Sequence, residues 1–225
     1  MEDKDITLHT LEEREEREER EERGPLEKSA SLLSMLLTPF TIPSLSFLFL
    51  FFGTYLRILP HTYRLSVIGM IICFTWLAPL LTICLLQKTN GEGIKGLHER
   101  KKRFLPYLIC ILSHLACLII MYRLHMPRYM SGVIESTLLC LILCVFINFR
   151  WKISTHSAGI GILIGNIWAY SLLFHFNPII YFCLTILLAG MIGTSRIIVG
   201  QHTLSEVFAG FVVGMFCGIT GILFI

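Results

Sequence analysis

Toward the end of the chain, Ser195-Arg196 is followed after five residues by His202, and after three more by Glu206. His202 and Glu206 are i,i+4, so one helical turn sets them side by side. A carboxylate so placed accepts the Nδ1 proton of the imidazole and fixes the tautomer whose Nε2 is free to attack. Arg196 adds a planar guanidinium that can take two phosphate oxygens at once. A second segment, Lys152-Ile-Ser-Thr-His156, supplies a cation, the hydroxyls of Ser154 and Thr155, and another imidazole. A third, from His98 to Pro106, is mostly cationic and includes Arg100 and Arg103. Cations for anionic oxygens, a nucleophile and a proton donor make up the inventory of phosphoryl transfer.

The chain that must hold these residues is unusually apolar. Of 225 residues, 54% are hydrophobic and 16% charged, with a mean hydropathy of +0.69. Soluble domains carry about 25% charged residues, so a water-soluble enzyme, a disordered chain and a coiled coil throughout are excluded. Residues 1–30 hold 12 of the 16 acidic residues, including the repeat EEREEREEREER at 12–23. This tail reads as a solvated helix or disordered segment, stopped at Gly24-Pro25. Residues 31–225 keep 13 Lys and Arg against Glu92, Glu99, Glu135 and Glu206. The eight cysteines all fall in apolar runs, where a reduced thiol acts as a small hydrophobe, so neither a disulfide framework nor a zinc site is expected. No metal and no other cofactor is called for, and no nucleic-acid partner.

A crossing needs about 20 apolar residues. Windows at 33–53, 65–86, 104–122, 131–149, 156–174, 178–195 and 205–225 qualify, the first interrupted by Pro39 and Pro43. The expected fold is all-α, a polytopic membrane bundle of about six or seven transmembrane helices spanning 31–225, because lipid-exposed backbone has to bond within its own segment. Alternation then puts residues 87–103, 150–155 and 196–204 on one face, and with them all three chemical segments. That face carries nine loop cations against Arg57, Arg64, Arg123 and Arg128 on the other, a bias that points to the cytoplasm. Gly210, Gly214 and Gly218, with a matching notch at Gly161 and Gly165, predict a close helix pair that holds the two histidines rigidly. His114, mid-span, reads as an interhelical hydrogen bond, Glu135 as the partner of Arg128 or Arg123, and His98 as solvated.

In these motifs the chain resembles the type 2 phosphatidic acid phosphatase superfamily, whose pattern is K-x6-RP, then PSGH, then SR-x5-H-x3-D. Ser195, Arg196 and His202 match the third motif, with Glu206 for Asp; Ser154 and His156 match the second, with Ile153 for Pro and Thr155 for Gly. In the first, Arg103 precedes Pro106 by three residues, and Gly96 stands where the lysine belongs. The resemblance covers about 95–215. It implies a metal-independent lipid phosphatase with His202 as the nucleophile, Glu206 orienting it, and His156 as acid and then base. Arg196, Arg103, Arg100, Ser154, Thr155 and Ser195 would hold the phosphate. Lys95, Arg100, Lys101 or Lys152 would stand in for the missing lysine, Lys152 lying i−4 from His156 if the helix extends that far.

The implied substrates are phosphatidate, phosphatidylglycerol phosphate, a polyprenyl diphosphate or a lipid A type phosphate. The implied setting is a multi-pass position in a bacterial inner or cell membrane. Family precedent puts the site on the extracytoplasmic side; it is preferred over the loop charges because those cations are themselves claimed as ligands. A phosphotransferase with the same site, an inactive transporter or scaffold of the same fold, and a haem-binding electron carrier are the other classes compatible with the chain.

Overall fold

Pro43 decides where the first of the described helices starts. The computed structural model describes residues 40–89 and 104–224, so the acidic tail and the loop bearing Arg100 and Arg103 lie outside the described residues. Helix α1 (Ile42–Gly53) takes Pro43 into its first turn, where the missing N–H and fixed φ are tolerated. At 12 residues it is about 18 Å long, well short of the ~30 Å of a hydrocarbon core. Next come α2 (His61–Ile72) and α3 (Ala78–Thr89), joined through a π-helical turn at Cys73–Leu77. The Ser113 hydroxyl, from the next helix, bonds the Phe74 carbonyl inside that turn. Helices α4 (Phe104–Arg123), α5 (Arg128–Asn148), α6 (Thr155–Phe174), α7 (Ile179–Ile198) and α8 (Leu204–Leu223) follow, linked by short turns.

The described residues are helical, and five stretches are long and apolar enough to cross a membrane: His61–Thr82, running through α2 and the π-helical turn into α3, and then α5, α6, α7 and α8, with α1 and the Tyr107–Arg123 part of α4 as shorter apolar helices. The chain is a multi-pass integral membrane protein. Lipid accounts for what water would not: α7 leaves Ile180, Leu184 and Leu187 exposed on its outer face.

The centre of the bundle is the pair α6–α8, and glycine is the reason the two can touch. A methyl on Gly214 would collide with the Ala158 carbonyl, and one on Gly161 with the Phe211 carbonyl. On Gly218 it would lie 2.5 Å from the Ile162 carbonyl. Small residues on both helices thus let backbone meet backbone, where dispersion forces add over the whole seam. Helix α5 joins along the other side of α8, where a methyl on Gly132 would lie 2.6 Å from the Gly221 carbonyl. Asn166 ties the layers together. Its amide donates to Ser46 on α1 at 3.1 Å, and its carbonyl accepts from Ser136 on α5 at 3.2 Å.

Away from the chemical segments, Tyr55, Tyr129 and Phe174 meet edge to face, with ring centroids 5.0 and 5.4 Å apart. This closes the end that carries His61, His125 and His175. Glu135 takes its hydrogen bond from the Tyr122 hydroxyl at 2.5 Å, and among the described residues it pairs with neither Arg128 nor Arg123. Arg64 is buried, with hydrogen bonds to the Phe51 carbonyl (3.4 Å) and His61 (2.8 Å).

Candidate active site

The five residues between Arg196 and His202 form a helix stop. Gly200 adopts φ +68°, a left-handed conformation that glycine reaches without strain. Its N–H bonds the Ile197 carbonyl at 2.9 Å, and the Gln201 N–H bonds the Arg196 carbonyl at 3.1 Å. These are the two hydrogen bonds of a Schellman motif ending α7. The His202 N–H reaches the same Arg196 carbonyl at 3.3 Å, so the turn brings arginine and histidine backbones together.

Thr203 then opens α8 with a capping box: its hydroxyl accepts the Glu206 N–H, and the Glu206 carboxylate accepts the Thr203 N–H at 3.2 Å. The same carboxylate oxygen accepts from His202 Nδ1 at 2.9 Å. The His–Glu pair expected from one turn of helix is therefore present by another route, since His202 lies before the helix begins. Because a carboxylate only accepts, Nδ1 carries the proton and Nε2 is left as the basic nitrogen. Both side chains are sheltered, 8% exposed for His202 and 13% for Glu206. Burial pushes the His202 ring below the ordinary histidine value. The Glu206 hydrogen bond opposes the shift, while the charges of Lys152 and Arg196 add to it.

The second segment is bound to this one directly. The Ser154 N–H donates to the Glu206 carbonyl at 3.4 Å, joining the start of α6 to the first turn of α8. A methyl on Gly210 would strike the Ser154 carbonyl, so the glycine seam runs right up to this junction. Lys152 precedes α6, which starts only at Thr155; it is not on the face of His156, as a longer helix would have made it. It reaches the site from the loop, its ammonium bonding the Gln201 carbonyl, while the Arg196 guanidinium bonds the Gln201 side chain. Gln201 therefore holds both cations beside His202.

Ser154 caps α6, accepting the Ser157 N–H at 3.4 Å and pairing with the Ser157 hydroxyl at 2.9 Å. Thr155 and His156 follow in the first turn of α6, half-buried. The Ser195 hydroxyl turns back onto the Ile192 carbonyl at 2.8 Å. His202, Glu206, Arg196, Lys152 and Ser154 thus form one hydrogen-bonded cluster, with Thr155 and His156 at its edge and Ser195 held within α7. Arg100 and Arg103 lie outside the described residues. The sequence reading passed over Gln201, Thr203 and Ser157. Thr203 had a visible signal, the T-x-x-E of a capping box; Gln201 had none.

The membrane helices close at one end on an imidazole–carboxylate pair flanked by an arginine and a lysine, groups whose chemistry suits an anionic, phosphate-like ligand. The chain belongs to the PAP2 superfamily, whose family model matches residues 112–225. That stretch holds the second and third motifs and begins beyond Arg103. Membership supports a phosphatase-type function on lipid phosphates in general terms. No curated protein and no solved structure matches the chain.

Proposed function

We propose that this protein is a lipid phosphatase that works through a phosphohistidine on His202. One observation carries the reading: the 2.9 Å contact of His202 Nδ1 with Glu206, which leaves Nε2 as the attacking atom while two cations stand beside it. The His202 Nε2 lone pair attacks phosphorus, and the bond from phosphorus to the lipid oxygen breaks. Protonated His156 gives its proton to that oxygen, releasing the lipid alcohol or, from a diphosphate, the lipid monophosphate. Neutral His156 then takes a proton from water, whose oxygen attacks phosphorus. The P–N bond breaks, and inorganic phosphate leaves with His202 restored.

Arg196 and Lys152 neutralise the phosphate oxygens as charge gathers on them. Arg100 and Arg103 would join them, with the backbone amides of the first turn of α6 and the hydroxyls of Ser154, Thr155 and Ser195 nearby. The reaction assigns no step to a metal. Placing the site at the bilayer surface lets a headgroup enter while the chain stays in lipid. Phosphatidate, phosphatidylglycerol phosphate, polyprenyl diphosphates and lipid A type phosphates all fit that arrangement, and the extracytoplasmic face is the side proposed.

The test is phosphate release from a lipid panel by the purified protein in detergent, with and without chelator. His202→Ala and His156→Ala should each lower the rate by about 10³-fold or more, as removal of a covalent nucleophile or its proton partner does. Full activity in either variant refutes the assignment. Loss of activity on adding chelator refutes the metal-free route.

A further inference from the structure

Two polar side chains that the mechanism leaves out behave in opposite ways. His114, whose mid-span position predicts an interhelical bond, bonds the Cys110 carbonyl of its own helix at 2.8 Å and is sealed within the bundle. Gln201 is exposed, yet three of its polar groups are engaged. Its N–H donates to the Arg196 carbonyl at 3.1 Å, its backbone carbonyl accepts from the Lys152 ammonium, and its side-chain oxygen accepts from Arg196 Nη2. Fixing a long exposed side chain costs conformational entropy, and a charge-assisted bond to a guanidinium is strong enough to offset it.

All three links come from one turn. Gly200, at φ +68°, brings Gln201 back against the last turn of α7, where both the main chain and the side chain of Arg196 are tied to it. The Arg196 Nε is buried, so a ligand meets the Nη end of the guanidinium, and the bond from Nη2 fixes how that end is presented. Lys152 arrives from a different segment, the loop before α6, and docks on the same residue. The spacing between the two charges is therefore set by Gln201. Both of its acceptors are amide oxygens. They hold a cation without cancelling its charge, whereas a carboxylate here would form ion pairs and weaken the attraction for phosphate. Among the described residues the site holds one carboxylate, Glu206, and one of its oxygens serves both His202 and Thr203.

We propose that Gln201 is a positioning residue for the phosphoryl reaction: it orients Arg196, sets its separation from Lys152, and has to be uncharged to do so. The inference rests on the phosphatase reading for what the two cations bind. It adds a requirement to that reading, a neutral acceptor between two cations, and a carboxylate at this position is the change it forbids.

Two variants test it. Gln201→Met keeps the length of the side chain but offers no oxygen, and Gln201→Glu keeps an oxygen and adds a charge. Lys152 docks on the backbone carbonyl, which both variants retain. For phosphate release from the lipid panel, kcat/KM should fall about tenfold in Gln201→Met, as for other outer partners, and about 100-fold or more in Gln201→Glu. Melting temperatures in detergent should equal that of the wild type. A glutamine that served only as an anchor would give the reverse order, because glutamate accepts from Arg196 at least as well. His202 is faced by Glu206 from α8, Lys152 from the loop before α6 and Arg196 from α7. A carboxylate added among them makes the ring easier to protonate, so the acid limb of Gln201→Glu should lie at higher pH than that of Gln201→Met. Wild-type kcat/KM in Gln201→Met overturns the inference, and so does a Gln201→Glu protein that matches Gln201→Met in rate or in acid limb. Rate losses that accompany lowered melting temperatures assign the residue to the fold and overturn it too. If the wild type releases phosphate from no lipid, the phosphatase reading falls, and equilibrium dialysis of inorganic phosphate decides alone. Affinity that drops from wild type to Gln201→Met to Gln201→Glu supports the positioning role, and equal affinity in all three sinks it.

Discussion

The two flanks of α6 are built on opposite plans. Toward α8 backbone lies on backbone, with Gly161 against Phe211 and Met215, Gly165 against Gly218, and Gly214 against Ala158. Toward α4 and α5 it stands off across a cavity of about 260 Å³. His156 sits at the head of this one helix, anchored through its neighbour Ser154 to α8 on the first side and lining open space on the second. Reacting groups must be held to within a fraction of an ångström, whereas a lipid chain needs volume. Rigidity and room are thus separated onto two faces of a single element, and each can be broken without touching the other.

Among changes that leave the reacting groups in place, the largest expected effect comes from prising the tight flank apart. In Gly214→Ala the new methyl meets the Ala158 carbonyl, which is backbone and cannot swing away. The helices must part by about 1 Å or more, and a displacement of that size at a reacting group can cost about 100-fold in rate. We expect at least that loss of phosphate release together with a clearly lower melting temperature in detergent. Gly190→Ala on α7 is the control: among the described residues nothing lies within 4 Å of its added methyl, and replacing a helical glycine by alanine contributes about 0.5–1 kcal/mol of stability. Equal behaviour of the two variants would falsify the claim that the seam positions the site.

This seam is also where the sequence was most readable. Close helix packing in a membrane leaves a periodic trace of small residues, so Gly210, Gly214 and Gly218 pointed to α8 and Gly161 and Gly165 to its partner. The His202–Glu206 pairing was legible from its four-residue spacing, although the structure builds it from a Schellman stop and a capping box rather than from one turn of helix. The windows at 104–122, 131–149, 156–174, 178–195 and 205–225 fall on α4 to α8. What escaped depends on contacts between segments far apart in the chain. Gln201 matters because Lys152 bonds its carbonyl and Arg196 its side chain, and neither link has a local pattern. Whether Lys152 shares a helix with His156 turns on where that helix begins, and the Ser154 hydroxyl caps it at Thr155, beyond the lysine. The cavity is an absence of side chains between three helices, which no periodicity along one of them records.

A milder variant asks whether position alone suffices once the seam is intact. Glu206→Gln keeps an oxygen for His202 Nδ1–H and for the Thr203 N–H, so the capping box and ring orientation persist while the charge is lost. Outer partners of this kind typically contribute about 10–100-fold. We expect a fall in kcat within that range, an unchanged melting temperature and little movement in KM. A variant as active as the wild type would mean that the rigid frame does all the orienting and the carboxylate none of the chemistry.

The smallest effect, and the most diagnostic, concerns Lys152. Attack requires the neutral His202 ring, so kcat/KM falls as pH drops through the folded pKa of that histidine, which burial sets below the ordinary value. The Lys152 charge lowers it further, so Lys152→Met should move the acid limb toward higher pH. Glu206 raises it, so Glu206→Gln should move the same limb toward lower pH. Above the limb, Lys152→Met loses only one of the cations beside the phosphate, a cost of a few-fold at a partly solvated site. The measurement is the pH profile of phosphate release for wild type and both variants in one detergent. Limbs that shift in opposite directions identify His202 as the group that must be neutral. Limbs that move together, or not at all, place the controlling proton elsewhere, and the nucleophile would then have to be sought on the cavity side of α6.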